Sequence, residues 1–347
     1  MDKIQNRANI PPNRCFFTWD IQYACNFKCS YCFFCNSWEE EKKKNRYPGL
    51  EKWKQIWDDI YKKYGGGHVH ISGGEPFCYP DIIEITKHLI KNFTVEFDTN
   101  LSWDVDKFMK EIGPERVKFA ASFHPQFAKF EEHLVKIKKL KDAGYDFGIN
   151  YVAHPTQLEK MPYYKQKLDE LHVSLDVMPF RGQYQGKEYP ISYTEEEKRL
   201  IESVDKNTAS RMLEAYAPKK KEEQKNNDNI NENKENKSEQ KEEVNKIQTD
   251  PNDSTAHYAK TNKHYHKLCR MGQMYTKILP NGDAYRCCLQ KPEGLLGNLI
   301  DGTFKFYEEP KICVYDKCPC WVAMITNEEE NWLFHWRTPK VRPFLNK

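Results

Sequence analysis

Two hydrophobic rhythms alternate along the first two thirds of the chain. Cys15 to Ala24 is apolar and aromatic and predicts a first strand. Leu50, Trp53, Ile56, Trp57, Ile60 and Tyr64 then fall three or four residues apart, which places them on one helix face. Gly65-Gly66-Gly67 stops that helix, because glycine tolerates the left-handed turn beyond it. His68 to Ile71 predicts a second strand that delivers Gly73, Gly74 and Glu75 at its C-terminal end. The alternation continues with a helix over 81–90 and a strand over 93–98. A helix through Val105, Phe108, Met109 and Ile112 and a strand over 117–123 come next. A helix through Phe130, Leu134, Ile137 and Leu140 closes at Gly144. Then follow a strand over 145–152, a short helix over 163–171 and a sixth strand over 173–179. Thr194-Glu195-Glu196-Glu197 is a capping box that opens one more helix through Leu200, Ile201 and Val204.

Six strands separated by helical stretches predict an α/β fold with a parallel sheet and helices outside it. Six are too few to close an eight-stranded barrel. Chemistry in such folds gathers at the C-terminal ends of the strands, where Cys25–Cys32 and Gly73–Glu75 both fall. From Lys219 to about Thr255 the chain is Lys, Glu, Asn and Gln with almost no apolar residue. Such a stretch cannot bury enough surface to offset its ordering entropy, so it predicts a disordered, solvated insertion rather than a docking or regulatory element. Beyond His264 the pattern turns β-rich. Tyr275–Leu279 and Ala284–Cys288 flank Pro280-Asn281-Gly282-Asp283 as a hairpin with an Asn-Gly turn, and 295–299 predicts a further strand. The expected organisation is an extension over 1–14, a barrel domain over 15–218, the insertion over 219–262 and a small β-rich domain over 263–347.

Composition narrows the function. With 39% hydrophobic and 14% aromatic residues over 347 positions, a sizeable core is expected. A net charge of +3 gives no global case for nucleic acid or an anionic membrane as partner. Met1 to Arg14 lacks an apolar signal segment, and no apolar run approaches the ~18 residues of a membrane span, so a cytoplasmic location is expected. Twelve cysteines are then many. Reduced compartments disfavour disulfides, which points to metal or redox chemistry. The cysteines cluster at 25–35 and 269–320, with none between Cys78 and Cys269, which predicts two metal sites.

Cys25, Cys29 and Cys32 have three and two residues between them. Three thiolates on one tight loop suit three irons of a 4Fe–4S cube and leave the fourth iron open. The alternative is a structural zinc site with Cys35 as the fourth ligand. The spacing resembles the C-x3-C-x2-C motif of the radical S-adenosylmethionine (radical SAM) superfamily, with Tyr31 at its aromatic position. Ser72-Gly73-Gly74-Glu75-Pro76 resembles that family's SAM-binding glycine motif.

The resemblance implies a partial six-stranded (β/α) TIM-like barrel with a small C-terminal β-rich Fe–S domain. It implies that Gly73, Gly74 and Glu75 hold the SAM amino group and that Asn100 and Ser122 contact SAM; Tyr31, and Asn150 and Arg181 at other strand ends, are further candidate SAM contacts, Arg181 as a permanent planar donor to a carboxylate. Cys35, His124 and Arg181 are the candidate catalytic residues, with a buried thiol the commoner reading of Cys35. Cys269, Gly282 and Cys287 resemble the opening of a SPASM or twitch auxiliary-cluster domain. That implies one auxiliary 4Fe–4S cluster held by Cys269, Cys287 and two of Cys313, Cys318 and Cys320, with zinc as the alternative. The implied activity is reductive cleavage of SAM and hydrogen abstraction from a peptide or protein side chain. A flavodoxin- or ferredoxin-type protein is the implied electron donor. The alternatives are a small-molecule dehydrogenase or epimerase, or a non-catalytic metal module.

Overall fold

The structure, a computed structural model, describes residues 15–34, 37–206, 266 and 268–315. The six expected strands are present as β1 (Cys15–Gln22), β2 (Gly67–Gly73), β3 (Phe93–Thr99), β4 (Val117–Phe123), β5 (Asp146–Ala153) and β6 (Ser174–Pro179). They pair in sequence order and in parallel. Between them lie α1 (Trp38–Lys42), α2 (Leu50–Tyr64), α3 (Ile82–Leu89), α4 (Val105–Glu111), α5 (Phe130–Asp142) and α6 (Met161–Glu170). The capping box of α7 (Glu195–Val204) forms as expected, with Glu197 N–H donating to Thr194 Oγ1 and Thr194 N–H to the Glu197 carboxylate. The insertion expected over 219–262 lies outside the described residues.

Strand alternation sorts the side chains onto two faces. Phe17, Trp19, Val69, Ile71, Val95, Phe97, Phe119, Ile149 and Val177 are buried under the helices. The stripe on α2 seats Trp53 and Trp57 against Trp19, with ring centroids 4.6 and 5.4 Å away, and Trp57 edge-on to Phe17 at 5.2 Å. The opposite, inner face is polar. Pairing register sets Lys277, Thr18, His70, Glu96, Lys118 and Asp146 side by side across six strands.

The sequence pattern did not reveal how the C-terminal strands attach. The predicted hairpin forms as β10 (Tyr275–Ile278) and β11 (Asp283–Tyr285), followed by β12 (Leu295–Asn298). These strands do not build a sheet apart. Strand β10 pairs in parallel with the free edge of β1, Phe16 opposite Tyr275, which gives one nine-stranded sheet in the order β12-β11-β10-β1-β2-β3-β4-β5-β6. Ile278, Ala284, Leu296, Leu299, Ile300 and Phe306 enter the same core as the barrel strands. Phe306 stands edge-on to Tyr64 at 4.9 Å, and its N–H donates to the Tyr64 hydroxyl. A small hairpin, β7 (Gly182–Tyr184) with β8 (Lys187–Tyr189), and the short α1 also lacked a sequence signal. Each is too short for a periodicity to register.

Phe306 is 1% exposed and contacts both α2 and the sheet. Phe306→Ala is therefore expected to destabilise the whole chain by about 3–5 kcal/mol, the cost of emptying a buried aromatic site. Denaturant unfolding followed by tryptophan fluorescence, which reports Trp53 and Trp57 on α2, checks this.

Candidate functional site

Strand β1 ends in the Cys25–Cys32 loop, and β2 ends in Gly73-Gly74-Glu75. The two segments are joined backbone to backbone. Gly74 N–H donates to Gln22 O at 2.7 Å and Glu75 N–H to Ala24 O at 2.9 Å. A Cβ on Gly74 would stand 2.1 Å from Ala24 O, and one on Gly73, where φ is +119°, 2.2 Å from Gln22 O. Both glycines are thus required by the close approach of the neighbouring backbone, besides any ligand.

The cysteine loop is fixed on its other sides too. Ser30 N–H donates to Gln126 Oε1 at 2.9 Å, and the Gln126 amide donates to Ser30 Oγ at 2.7 Å. Phe27 stacks on Phe127 at 5.2 Å, and Lys28 Nζ lies 4.2 Å over the Trp38 ring. Cys25 Sγ accepts from Phe27 N–H at 3.3 Å and from the Asn100 amide at 3.8 Å. Burial raises the Cys25 pKa. Burial, then the charges of Cys32 and Cys25, push Cys29 up to about 12.

These features fit an iron–sulfur cluster. The donor set is all sulfur, N–H groups already point at one sulfur, and three crowded thiolates need a cation to relieve their repulsion. Among the described residues, no three His, Cys, Asp or Glu side chains converge as they would on a single metal ion. A cube spreads its ligands over separate corners. Cys35 lies outside the described residues.

The other expected contacts divide. Glu75 is 1% exposed, and its carboxylate accepts from Thr99 Oγ1 and Asn100 N–H at 2.7 Å each and from Phe77 N–H at 3.1 Å. Burial outweighs these donors and pushes its pKa up to about 7. The Glu75 side chain thus holds the ends of β2 and β3 together. Asn100 is likewise engaged, with Asn26 Oδ1 at 2.9 Å and with Cys25, so it supports the cysteine loop. Tyr31 shares a 3.1 Å hydrogen bond with His124 Nδ1. Burial lowers His124 to about 4 and, with the Cys29 charge, raises Tyr31, so neither is charged at neutral pH. Ser122 and Asn150 stand opposite each other on the inner face, with Asp176 next in the row. Arg181 follows β6, half-buried.

Sequence reasoning passed over the charged inner face. Asp20, 8% exposed, accepts from Lys277 Nζ at 2.5 Å and from Ser72 Oγ at 2.6 Å. His70 pairs with Asp98 at 3.0 Å. Glu96 lies 3.5 Å from both His68 and Lys118. Burial opposes the Glu96 charge, but the hydrogen bond from His68 and the His70 and Lys118 charges outweigh it and lower its pKa. The clue in the sequence was His, Glu, Asp and Lys at every second strand position.

A second thiol site lies beside β10. Cys269, Cys287 and Cys313 are buried in one patch with Phe16, Met271, Met274 and Tyr275, and Cys288 and Tyr315 pack on it. Pairing of β9 (Leu268–Cys269) with β13 (Lys311–Ile312) sets Cys269 beside the strand that leads into Cys313. The Arg286 guanidinium donates to the Lys311 and Ile312 carbonyls at 3.4 Å, which ties in Cys287. Cys318 and Cys320 lie outside the described residues.

Two measurements test this geometry. Burial alone lowers His70, but Asp98 outweighs it and raises the pKa from 6.5 to about 9. The ion pair therefore stabilises the fold below pH 6.5, and this contribution is lost as the pH rises through about 9. The His70 ring resonance in an NMR titration should move near pH 9, and Asp98→Asn should bring its midpoint down to 6.5 or lower. Glu75→Ala leaves three donors without an acceptor, each costing about 1–3 kcal/mol, so denaturant unfolding should show a loss of about 3 kcal/mol or more.

Comparison with known proteins agrees with this architecture. Residues 19–165 match the family model of the radical SAM superfamily. The chain is 24% identical over 202 residues to a probable GTP 3′,8-cyclase of Methanocaldococcus jannaschii, covering 54% of this chain and 66% of that protein. The fold is similar to Streptococcus suis SuiB bound to precursor peptide SuiA, with a TM-score of 0.50 and 15% identity over 86% of this chain and 66% of that chain. It is also similar to anSMEcpe with bound AdoMet, with a TM-score of 0.48 and 13% identity over 84% and 76% of the two chains. The chain thus spans just under two thirds of the length of the cyclase and of SuiB.

Proposed function

Residues 19–165 belong to the radical SAM superfamily, and from that premise we propose that this enzyme cleaves S-adenosylmethionine reductively and abstracts a hydrogen atom from a peptide or protein side chain. The observation that carries this is the backbone latch between the Cys25–Cys32 loop and Gly73–Glu75, which sets three thiols and a glycine-rich segment at adjoining strand ends. When bound, a 4Fe–4S cluster on Cys25, Cys29 and Cys32 would supply the electron and an open iron for the amino acid end of SAM.

The chain's own residues orient and insulate that chemistry. Asn100 and Phe27 N–H steady the Cys25 sulfur. Tyr31 and His124 close one side of the loop as a neutral pair. Ser122, Asn150 and Arg181 are the proposed polar contacts to SAM. Cys269, Cys287 and Cys313 are proposed to carry an auxiliary 4Fe–4S cluster that takes up or supplies an electron. A flavodoxin- or ferredoxin-type donor would reduce the enzyme. The peptide assignment draws on the likeness to SuiB, whose structure holds a precursor peptide. The charged inner face, with Asp98 43% exposed, favours a second reading in which the substrate is a small polar metabolite.

The test is direct. Protein reconstituted anaerobically and given dithionite and SAM should release 5′-deoxyadenosine. Cys25→Ala should lower that release at least ~100-fold, since the cluster supplies the electron. Cys287→Ala should keep part of it, uncoupled from substrate. Cleavage that persists in Cys25→Ala would overturn the assignment. Deuterium carried from a labelled peptide or a labelled metabolite into 5′-deoxyadenosine separates the two substrate classes.

A further inference from the structure

The thiol patch beside β10 holds a sulfur that the Cys269…Gly282…Cys287 spacing does not account for. Cys288 packs on the same patch as Cys269, Cys287 and Cys313 and lies 3.2 Å from the Tyr275 hydroxyl. Tyr275 is fully buried, and its hydroxyl is also 3.1 Å from Thr18 Oγ1 on β1.

We propose that Cys288 is the fourth protein ligand of the auxiliary cluster, completing a set with Cys269, Cys287 and Cys313, and that the Tyr275 hydroxyl donates a hydrogen bond to its sulfur. This rests on the reading that the C-terminal thiols carry such a cluster.

Three features support the assignment. The four cysteines share one patch, into which separate devices bring them: the β9–β13 pairing, the Arg286 bridge to the Lys311 and Ile312 carbonyls, and the turn in which Gln290 N–H donates to Cys287 O. The turn after β11 takes the chain out of the extended state, in which neighbouring side chains point to opposite faces. Two successive cysteines can then address one centre. The surroundings, Phe16, Met271 and Met274, are apolar, as suits a centre shielded from water.

Tyr275 has a defined part in this arrangement. A ligating Cys288 is a thiolate and can only accept a hydrogen bond, so the phenol proton turns to sulfur while the Thr18 hydroxyl donates to the phenol oxygen. Hydrogen bonds to cluster sulfurs stabilise the reduced form and raise the potential. Thr18 stands in the inner-face row beside His70, so the potential of the auxiliary site is set from the strand that also carries the cysteine loop.

The experiment uses the full chain, reconstituted anaerobically, with iron counted and EPR spectra recorded before and after dithionite. The parent protein should hold about eight irons, two cubes. Cys288→Ala should lose iron or show an oxidised three-iron EPR signal, as Cys287→Ala should also, with far-UV circular dichroism unchanged. Tyr275→Phe keeps the ring stacked on Phe16. It should keep its full iron and shift the auxiliary midpoint potential to more negative values in a redox titration. A Cys288→Ala protein with full iron and the parent spectrum would overturn the ligand assignment, and an unmoved potential in Tyr275→Phe would overturn the hydrogen bond. Only about four irons in the parent protein would instead remove the auxiliary cluster itself.

Discussion

The geometry of the site depends on one close approach. The backbone of β2, leaving the sheet at Gly73 and Gly74, runs against the backbone of residues 22–24 as β1 leaves it. No side chain fits between them, and two hydrogen bonds of 2.7 and 2.9 Å close the gap. A loop with three cysteines would otherwise be free to rotate about its stem. The latch fixes where it starts, and Gln126 and Phe127 beyond β4 fix its middle. The position of the sulfurs is therefore set by the register of the parallel sheet.

Glu75 extends that constraint to a third strand. A buried carboxylate is costly unless its oxygens are satisfied, and here each accepts from β3 or the turn that follows β2. One of those donors, Asn100 N–H, belongs to the residue whose amide reaches Cys25. Burial of one acidic side chain thus orders the glycine segment, the end of β3 and a donor to the cysteine loop together. The inner-face charges follow the same logic. Asp20, Glu96 and Asp98 each face Lys or His, so the row is charged yet locally compensated.

Much of this was legible in the chain itself. The six barrel strands and the helices on α2 to α7 appear within a few residues of where hydrophobic spacing puts them, because each buries a continuous stripe such as Trp53–Tyr64. The cysteine loop stood out by its spacing, and the glycine segment by its resemblance to a family motif downstream of those cysteines. The role of Glu75 was not, because a carboxylate in a motif looks the same whether it faces a ligand or the core. Nor was the attachment of β10 to β1, since edge pairing between residues 16 and 275 leaves no local trace. Cys288 stayed outside the expected ligand set because its neighbour Cys287 satisfied the motif.

That edge pairing has a mechanical consequence. Strand β1 carries the cysteine loop at its C-terminal end, while Phe16 near its start lies in the thiol patch and Thr18 bonds Tyr275. From Phe16 to Cys25 is nine residues, at most about 30 Å of extended chain. The strand is central in a nine-stranded sheet, paired on both sides, and packed under Trp53 and Trp57. Its length cannot change without breaking those pairings. The two thiol sites are therefore held at a fixed separation by a single strand.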